Sequence, residues 1–309
     1  MPDTRPVSSV PDLDAVASQR WRHRPMGSSP WLHEEIAGRM IDRLDWIRQV
    51  PEQWVHWSPM QGGLTAHRQL VQRYPQAQAW VAGDRPDAAA RVLTDAERDT
   101  TSIWGRLASR WRRPSAPVLD EQAIGLADMV WANMALHLHP EPAKLLARWR
   151  DLLKVGGFAM FSGLGPDTLR ELRDVHQAMG WPAPHHPLTD MHDRGDMMVE
   201  SGLAEPVVDM ERITLTYPNA ERLLADLRAW GRNLHAGRYP SCRGRGFQRA
   251  WREAVDRWMP RTADGQLQVT VEVVYGHAFK PEPRVRLAPT SQVSLDEMKA
   301  LLKRPKPDA

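Results

Sequence analysis

Cysteine, lysine and long apolar runs are scarce in this chain, and each scarcity excludes a class of protein. Cys242 is the single cysteine in 309 residues, so neither an intrachain disulfide nor a zinc site with several cysteine ligands can form. No apolar run approaches the roughly 20 residues that a membrane-spanning helix needs. The N-terminal segment 1–14 is polar and contains proline, unlike a secretory signal. We therefore expect a cytoplasmic protein with no membrane partner.

The shortage of lysine leaves the basic side of the chain almost entirely to arginine. The sequence has six lysines among its 41 basic residues, and its formal net charge is +3. Arginine can pair with a carboxylate or a phosphate through two parallel hydrogen bonds. A compositional bias of the source genome is the simpler explanation of the excess. Fourteen tryptophans are also unusual for this length, and most of them are expected to be packing residues.

The signatures of several common chemistries are absent. The sequence contains no H-E-x-x-H, no G-x-S-x-G and no G-x-x-x-x-G-K-[ST] motif, which are typical of zinc proteases, α/β-hydrolases and P-loop proteins. His137 and His139 precede Glu141, but their spacing matches no metal-site signature, so we expect no metal. No aromatic RNA-binding motif or helix-turn-helix pattern is present, so we expect no nucleic-acid partner. The pattern identifies no catalytic residue.

Short apolar runs that alternate with helical stretches indicate an α/β fold. Helical spacing covers 31–49, 64–73, 141–153, 166–180 and 192–202, and short apolar runs occur at 54–57, 78–83, 127–132 and 157–161. This alternation predicts a doubly wound, mostly parallel sheet. Two later extended segments, 207–217 and 269–279, bracket helical material at 219–234 and 245–258. We expect one domain over 15–282 with a late antiparallel strand and a helical insertion at 218–262, a disordered tail at 1–14 and a second tail at 283–309.

The arginine-rich segment 98–113 interrupts the alternation. Ile103, Trp104, Leu107 and Trp111 fall at helical spacing between its arginines. This pattern favours an amphipathic surface helix packed on the domain, and a helix lying on a membrane surface is the alternative. The role of the segment stays open.

Two turns are candidate nucleotide contacts. The first apolar run is followed by Trp57, Ser58, Pro59 and, after two more residues, the pair Gly62-Gly63. Because Pro59 lacks an N–H and the G-x-G-x-x-G pattern is missing, the residues alone favour an ordinary strand-to-helix turn. Asp84 follows the second run, where an acid can accept hydrogen bonds from ribose hydroxyls or can simply be a loop residue.

Several longer stretches resemble one known family. Residues 127–137 with 152–157 (ADMVWANMALH … LLKVGG) resemble class I S-adenosylmethionine-dependent methyltransferases. The stretches 161–172 (FSGLGPDTLREL) and 189–217 are more specific and resemble the malonyl-[acyl-carrier protein] O-methyltransferases of biotin biosynthesis. Parts of 224–233 and 274–281 agree with the same family. The similarity is good over about 125–282, and partial over 30–50 and 68–84.

The resemblance implies a Rossmann-like methyltransferase fold and a specific reaction. Members of that family transfer a methyl group from S-adenosylmethionine to the free carboxylate of malonyl carried on acyl carrier protein, which is acidic. Arginines of the insertion would then face the carrier protein. The resemblance implies cofactor contacts at Trp57, Ser58, Gly62, Gly63, Asp84, Asn133 and Met134, and substrate contacts at His192, Tyr217, Arg228 and Asn233. By the residues alone, His192 could equally anchor its loop, and Tyr217 could be a half-buried strand end.

The departures from the family pattern all fall on the cofactor side. The family's first motif resembles V-L-D-x-G-C-G-x-G, and its acid and most of its glycines are missing at 55–63. The acidic patch that holds the adenine end is represented at best by Asp120-Glu121, and Trp21 is the candidate for one of two aromatic residues that close over the cofactor. The alternatives are therefore a catalytically weak or inactive methyltransferase-like protein that binds carrier protein or another partner, and a methyltransferase for a different small acid.

Overall fold

The computed structural model describes residues 13–100, 116–239 and 243–283, and side chains 96–100 are not described. The predicted tails up to residue 12 and from residue 284, the arginine-rich segment from residue 101 on, and Cys242 lie outside these residues. Leu13 and Asp14, which the sequence assigned to the tail, belong to the fold. Leu13 forms an antiparallel bridge with His235, and the Asp14 amide donates to the Leu234 carbonyl over 2.8 Å.

Six strands form one sheet in the order β2-β1-β3-β4-β6-β5. Strand β1 pairs in parallel with β2 and β3, β3 pairs in parallel with β4, and β6 runs antiparallel to both of its neighbours. The predicted mostly parallel sheet with one late antiparallel strand is confirmed. The strands are β1 (Gln53–Trp57), β2 (Gln78–Ala82), β3 (Ala127–Ala132), β4 (Leu153–Leu164), β5 (Ala204–Tyr217) and β6 (Leu267–Phe279).

Helices cover both faces of the sheet, and two of them stand between β5 and β6 where the helical insertion was predicted. Within the described residues, none of these helices is both long and apolar enough to cross a membrane. The helices are α1 (Ala15–Arg22), α2 (Trp31–Asp42), α3 (Pro59–Gly62), α4 (Leu64–Arg73), α5 (Pro86–Thr100), α6 (Pro142–Leu152), α7 (Arg170–Ala178), α8 (Met191–Glu200), α9 (Ala220–Trp230) and α10 (Arg245–Trp258).

The buried strands supply side chains to two cores because successive residues point to opposite faces. Trp54, Met129, Trp131 and Phe158 lie in one core, which α2, α4 and the insertion complete. The neighbouring positions Val55, Val130, Ala132, Ala159 and Phe161 belong to the other, which α6 and α8 cover. Burial on both faces is why these strands have nearly continuous apolar sequences.

The helix predicted over 31–49 ends early. It stops at Asp42, continues as a 3₁₀ turn over Arg43–Trp46, and reaches extended backbone at Ile47 with φ −98° and ψ 115°. Ile47 still packs against the first core from that extended segment. The apolar spacing correctly indicated burial of Ile47, but burial does not require a helix.

Candidate active site

The carboxyl ends of the parallel strands β1 to β4 meet at one edge, which is where ligands bind in open α/β sheets. The chain leaves three of these strands through left-handed backbone, at Ser58 (φ 52°), Gly83 (φ 87°) and Met134 (φ 55°). A positive φ costs energy in a residue with a side chain. The edge is therefore a constrained surface, and the predicted cofactor residues all lie along it.

The glycine pair after β1 packs against protein atoms. A Cβ atom on Gly62 would lie 3.1 Å from the Asn133 carbonyl oxygen and 3.2 Å from His56 Nε2. A Cβ on Gly63, where φ is 123°, would lie 3.0 Å from a carboxylate oxygen of Glu34. Internal packing and backbone conformation thus explain why both residues are glycine.

The amino terminus of α4 is also bound internally. Glu34 of α2 accepts hydrogen bonds from the amides of Thr65 and Ala66 at 3.1 and 3.2 Å, and Ser29 Oγ accepts from the Leu64 amide at 3.0 Å. The first amides of such a helix are the groups that would otherwise bind a ligand carboxylate or phosphate. Here a carboxylate of the protein already occupies them.

Asp84 lies at the predicted position but is paired within the protein. One of its oxygens accepts from the Arg22 guanidinium of α1 at 2.5 Å, and the other accepts from Ser58 Oγ at 3.3 Å. Ser58 Oγ in turn accepts from the Asp84 amide at 2.9 Å. The carboxylate keeps acceptor capacity for a ribose hydroxyl, but it would have to share its charge with Arg22.

Asn133 and Met134 are buried at the end of β3. The Asn133 side-chain amide donates to the carbonyl oxygens of His33 and Gly62, at 2.7 and 2.5 Å. Its own oxygen accepts from Ser162 Oγ at 2.5 Å, and Ser162 Oγ accepts from the Met134 amide. Asn133 therefore joins α2, the turn after β1 and strand β4 through its side chain, which leaves it little capacity for a ligand.

These residues do not fit S-adenosylmethionine in the manner that the resemblance implies. Trp57, the last residue of β1, lies against Gly83, where a Cβ would be 2.9 Å from the indole ring and 2.5 Å from Ser58 Oγ. The Trp57 ring also contacts Trp149 edge-on, with centroids 6.2 Å apart. A bulky indole thus stands where a small, open turn would let the backbone approach a nucleoside.

Three buried histidines pack around the turn after β1. Nothing in their sequence pattern marked them as candidate site residues. His56 and His67 face each other with their Nδ1 atoms 3.2 Å apart, and His33 Nδ1 contacts the Gln61 carbonyl oxygen at 2.8 Å. Burial lowers the pKa of His33 and of His67 to about 4, and it lowers the pKa of His56 as well. All three are neutral at neutral pH.

Helix α1 lies between the turns after β1 and β2 and the helical insertion. Ser18 Oγ donates to the Leu138 carbonyl at 2.6 Å, and Trp21 packs against Leu138 and Leu234. Arg22 on the next position reaches Asp84. The aromatic residue that the resemblance assigned to closure over the cofactor therefore packs mainly toward the insertion.

Two adjoining cavities, together called the channel below, lie between the insertion and the loops after β3 and β4. The outer part of the channel has a volume of about 460 Å³ and the inner part about 210 Å³, and the two share several lining residues. The outer part is lined by arginines, and the inner part is lined mainly by leucine and histidine. The shared residues are His176, Pro184, Leu224, Arg228, Arg232, Asn233 and Trp251.

Arginines give the outer part of the channel a positive charge. Arg228, Arg232, Arg238 and Arg243 line it, and Arg238 pairs with Asp14 at 2.7 Å. Burial and the neighbouring Arg228 lower the pKa of Arg232, as expected for cations held close together. Such a cluster suits an anionic ligand because each guanidinium offers only donors.

The four predicted substrate residues lie in different places. Arg228 lines both parts of the channel. Asn233 does so too, but its amide holds the Ala183 carbonyl at 2.7 Å and its oxygen accepts from the His235 amide. Tyr217 ends β5 with a buried hydroxyl, and burial followed by the charge of Asp226 raises its pKa. His192 is 80% exposed on the first turn of α8 and does not line the channel.

A buried arginine and the histidines at the inner end were not among the predicted site residues. Arg194 is 1% exposed in α8, and His137 and His186 are buried in the wall of the inner part. Arg194 shares the helical spacing of the buried Met197 and Met198. An arginine on an apolar stripe was a signal available in the sequence, because charged residues are rarely fully buried.

Comparison with known proteins places this architecture. No family model matches the chain. The chain is 38% identical over 264 residues to a protein of Gallionella capsiferriformans named malonyl-[acyl-carrier protein] O-methyltransferase, covering 84% of this chain and 87% of that one. A protein of the same name from Laribacter hongkongensis is also 38% identical over 264 residues, covering 82% and 84%.

Solved structures agree on the fold. The YcgJ protein of Bacillus subtilis superposes with a TM-score of 0.51 at 8% identity, covering 81% of this chain and 99% of that one. A candidate methyltransferase from Bacillus halodurans gives a TM-score of 0.50 at 12% identity, over 80% and 99%. The solved structures agree with the observed sheet, and the two relatives at 38% identity settle membership: the chain belongs to the malonyl-[acyl-carrier protein] O-methyltransferase family.

Proposed function

We propose that the protein transfers a methyl group from S-adenosylmethionine to the free carboxylate of a malonyl group carried on acyl carrier protein, as a cytoplasmic step of biotin biosynthesis. The observation that carries this proposal is the channel. Arginines line its outer part, and its inner part reaches the loops after β3 and β4 at the edge of the sheet. A thioester on a long arm can enter such a channel from the surface.

The reaction asks little acid–base work of the protein. A carboxylate is ionised at neutral pH because carboxyl groups of this kind have ordinary pKa values near 4. It is already a nucleophile, so the absence of an obvious general base is consistent with the chemistry. What the chain's own residues must do is bind the carboxylate and keep it oriented in the channel. S-Adenosylmethionine, when bound, supplies that methyl group on a sulfonium.

The side chains of the channel supply the positive charge that draws an anionic acceptor in. Arg228 lines both parts of the channel and no acidic partner of its guanidinium is found in the described residues, so its charge is available to an entering anion. Arg24, tied to the Ala229 carbonyl at 3.0 Å, lies close enough for the charge of Arg232 to help lower its pKa, after burial, to about 10. Positive charge at the mouth would speed the approach of an acidic carrier protein.

A growth experiment tests the proposal in its biological setting. The gene would be expressed in a bacterial strain that lacks its own malonyl-[acyl-carrier protein] methyltransferase and therefore needs biotin. We expect growth without biotin. The double variant Arg228→Gln, Arg232→Gln should fail to support growth at equal protein level, whereas Arg249→Gln, an exposed arginine of α10 outside the channel lining, should support it.

Calorimetry separates the outcomes of that experiment. If the wild-type protein fails to support growth and binds no S-adenosylmethionine at millimolar concentration, the proposal is wrong. If it binds S-adenosylmethionine but leaves malonyl carrier protein unmethylated, the acceptor is a different acid.

A further inference from the structure

Three histidines of the inner part of the channel, called the chamber below, carry ring nitrogens that have no hydrogen-bond partner. His137, His185 and His186 line this chamber, and His137 and His186 are 8% and 3% exposed. In the part of the chain that the structure describes, both nitrogens of His137, Nε2 of His185 and Nδ1 of His186 have no hydrogen-bond partner. Among all the residues that the structure describes, no group of three side chains is able to hold a metal ion. Buried polar atoms of this kind call for a ligand or ordered water.

Their contacts decide which of these nitrogens can donate. His185 Nδ1 lies 2.6 Å from the His186 carbonyl oxygen, and His186 Nε2 lies 3.0 Å from the His137 carbonyl oxygen. A carbonyl oxygen only accepts, so both contacting nitrogens carry the hydrogen. Burial lowers the pKa of His185, and that of His186 to about 4, so both rings are neutral. The free Nδ1 of His186 is therefore a lone pair, which repels a carboxylate. The His185 ring also faces the Thr168 main chain, which raises its pKa against the effect of burial, so His185 is not free for a ligand.

His137 differs because neither of its nitrogens is used. Burial and the nearby Arg194 lower its pKa well below the ordinary value, so its ring is neutral and offers one N–H and one lone pair. It stands in the short 3₁₀ turn after β3, close to the edge of the sheet where the reacting atoms of the family fold lie.

Arg194 lies behind His137 and can decide which way that N–H points. The two residues line a small void of about 10 Å³, roughly the space of one water molecule. The guanidinium donates to the Thr189 and Leu164 carbonyls, and its remaining terminal nitrogen has no partner. A guanidinium has donors only, so a direct contact across this void would favour the lone pair on the facing His137 nitrogen. The N–H then points into the chamber.

We propose that His137 binds the carboxylate of the acceptor through this N–H, and that Arg194 is a positioning residue that fixes the His137 tautomer and places a positive charge behind it. The inference rests on the proposed function, since it names the group that receives the malonyl end. The arginines of the outer channel would then serve the carrier end of the substrate.

Binding measured without any cofactor tests the first half. Malonyl-pantetheine and butyryl-pantetheine have similar size, and only the first ends in a carboxylate. We expect calorimetry to show at least about tenfold tighter binding of malonyl-pantetheine by the wild-type protein. His137→Leu should reduce this preference to within about twofold while butyryl-pantetheine still binds. His137→Gln, which keeps an N–H donor, should retain most of it.

A nitrogen-15 spectrum of the histidine rings tests the second half. Wild-type protein should show His137 as one neutral tautomer, and Arg194→Met should show a mixture of both. If that variant does not fold, Gly163→Ala serves instead, because its Cβ would lie 2.5 Å from an Arg194 terminal nitrogen and displace the guanidinium. An unchanged single tautomer in the folded variant would contradict the positioning role.

The outcomes distinguish this inference from the proposed function. If His137→Leu keeps the full preference for malonyl-pantetheine, or the wild-type protein shows none, the inference is wrong whether or not methyl transfer occurs. If the preference depends on His137 but no methyl group is transferred, the carboxylate site stands and the proposed reaction fails.

Discussion

The regions on the two sides of helix α1 differ in how their polar groups are engaged. On the insertion side, a channel of connected cavities opens to solvent and carries arginines. On the other side, the groups at the ends of β1 to β3 that the family resemblance assigns to the cofactor, and the neighbouring amino terminus of α4, are bound to other groups of the protein. Asp84 pairs with Arg22, Glu34 caps α4, and Asn133 holds two main-chain carbonyls. The comparison teaches that residues which a motif assigns to a cofactor can be engaged in internal contacts within a chain that clearly belongs to the family.

Acid sensitivity is the largest expected effect, and it comes from buried histidines on both sides of α1. Burial holds the pKa of His33, His67 and His186 at about 4, against an ordinary value of 6.5. Between these values the unfolded chain binds more protons than the folded one, so stability falls as pH drops from 6.5 toward 4 and is level above 6.5. Each histidine should cost about 2 kcal/mol of unfolding free energy between pH 7 and pH 5.

Urea unfolding at the two pH values measures this loss. Two variants, His67→Asn on the cofactor side and His186→Asn on the channel side, measure the contribution of each side separately. Each variant should reduce the proton uptake on unfolding at pH 5 by about one. A stability that does not change between pH 7 and pH 5 would show that these rings are accessible to water.

Loss of the channel arginines should be the next largest effect. Replacing both Arg228 and Arg232 by glutamine removes two cations that face the entering anion, and each is worth about tenfold. We expect kcat/KM for malonyl carrier protein to fall about 100-fold, mainly through KM. Arg249→Gln, which changes the net charge by half as much and lies outside the channel, should change it less than threefold. Equal losses in the double variant and in Arg249→Gln would mean that only the net charge of the protein matters, and not the position of the arginines in the channel.

The Arg22–Asp84 pair offers a direct test of the cofactor side. Asp84→Asn should weaken binding of S-adenosylmethionine about tenfold if the carboxylate accepts from the ribose. Arg22→Gln should tighten it about threefold, because it frees that carboxylate. Arg20→Gln, an exposed arginine of the same helix, is the matched control. If calorimetry shows no change with either Asp84→Asn or Arg22→Gln, the pair only anchors α1.

The smallest effect is expected at His192. Its side chain is 80% exposed, and a carboxylate oxygen of Asp190 lies 4.0 Å from its ring. His192→Ala should leave kcat/KM within about twofold of the wild-type value. A tenfold loss would mean that the bound carrier protein reaches the first turn of α8.

The fold could be predicted further than the site. Alternating apolar runs and helices specified the sheet because each buried strand, such as Ala127–Ala132, has a nearly continuous apolar sequence. The apolar spacing wrongly extended the helix to Ile47, because extended backbone brings this residue to the same core. The extent of β4 was also underestimated, since its first residues, Leu153–Gly156, contain a lysine and a glycine.

The site resisted prediction for a physical reason. The motif around Asn133 suggests a cofactor contact, but the carbonyls that occupy its amide lie 71 and 100 positions away in the chain. Likewise, nothing near Asp84 in the sequence indicates that Arg22, 62 positions earlier, neutralises it. Such pairings exist only once the fold brings the segments together, whereas the periodicity that predicts a strand or helix is local.

Transfer of the methyl group itself tests the account most directly. The protein would be incubated with S-adenosylmethionine and either malonyl or butyryl carrier protein, and the carrier protein analysed by mass spectrometry. We predict methylation of the malonyl protein alone, which would show that the internal contacts around Asp84 and Asn133 still permit methyl transfer to the acceptor channel. Malonyl carrier protein that binds but stays unmethylated at saturating S-adenosylmethionine would contradict the account.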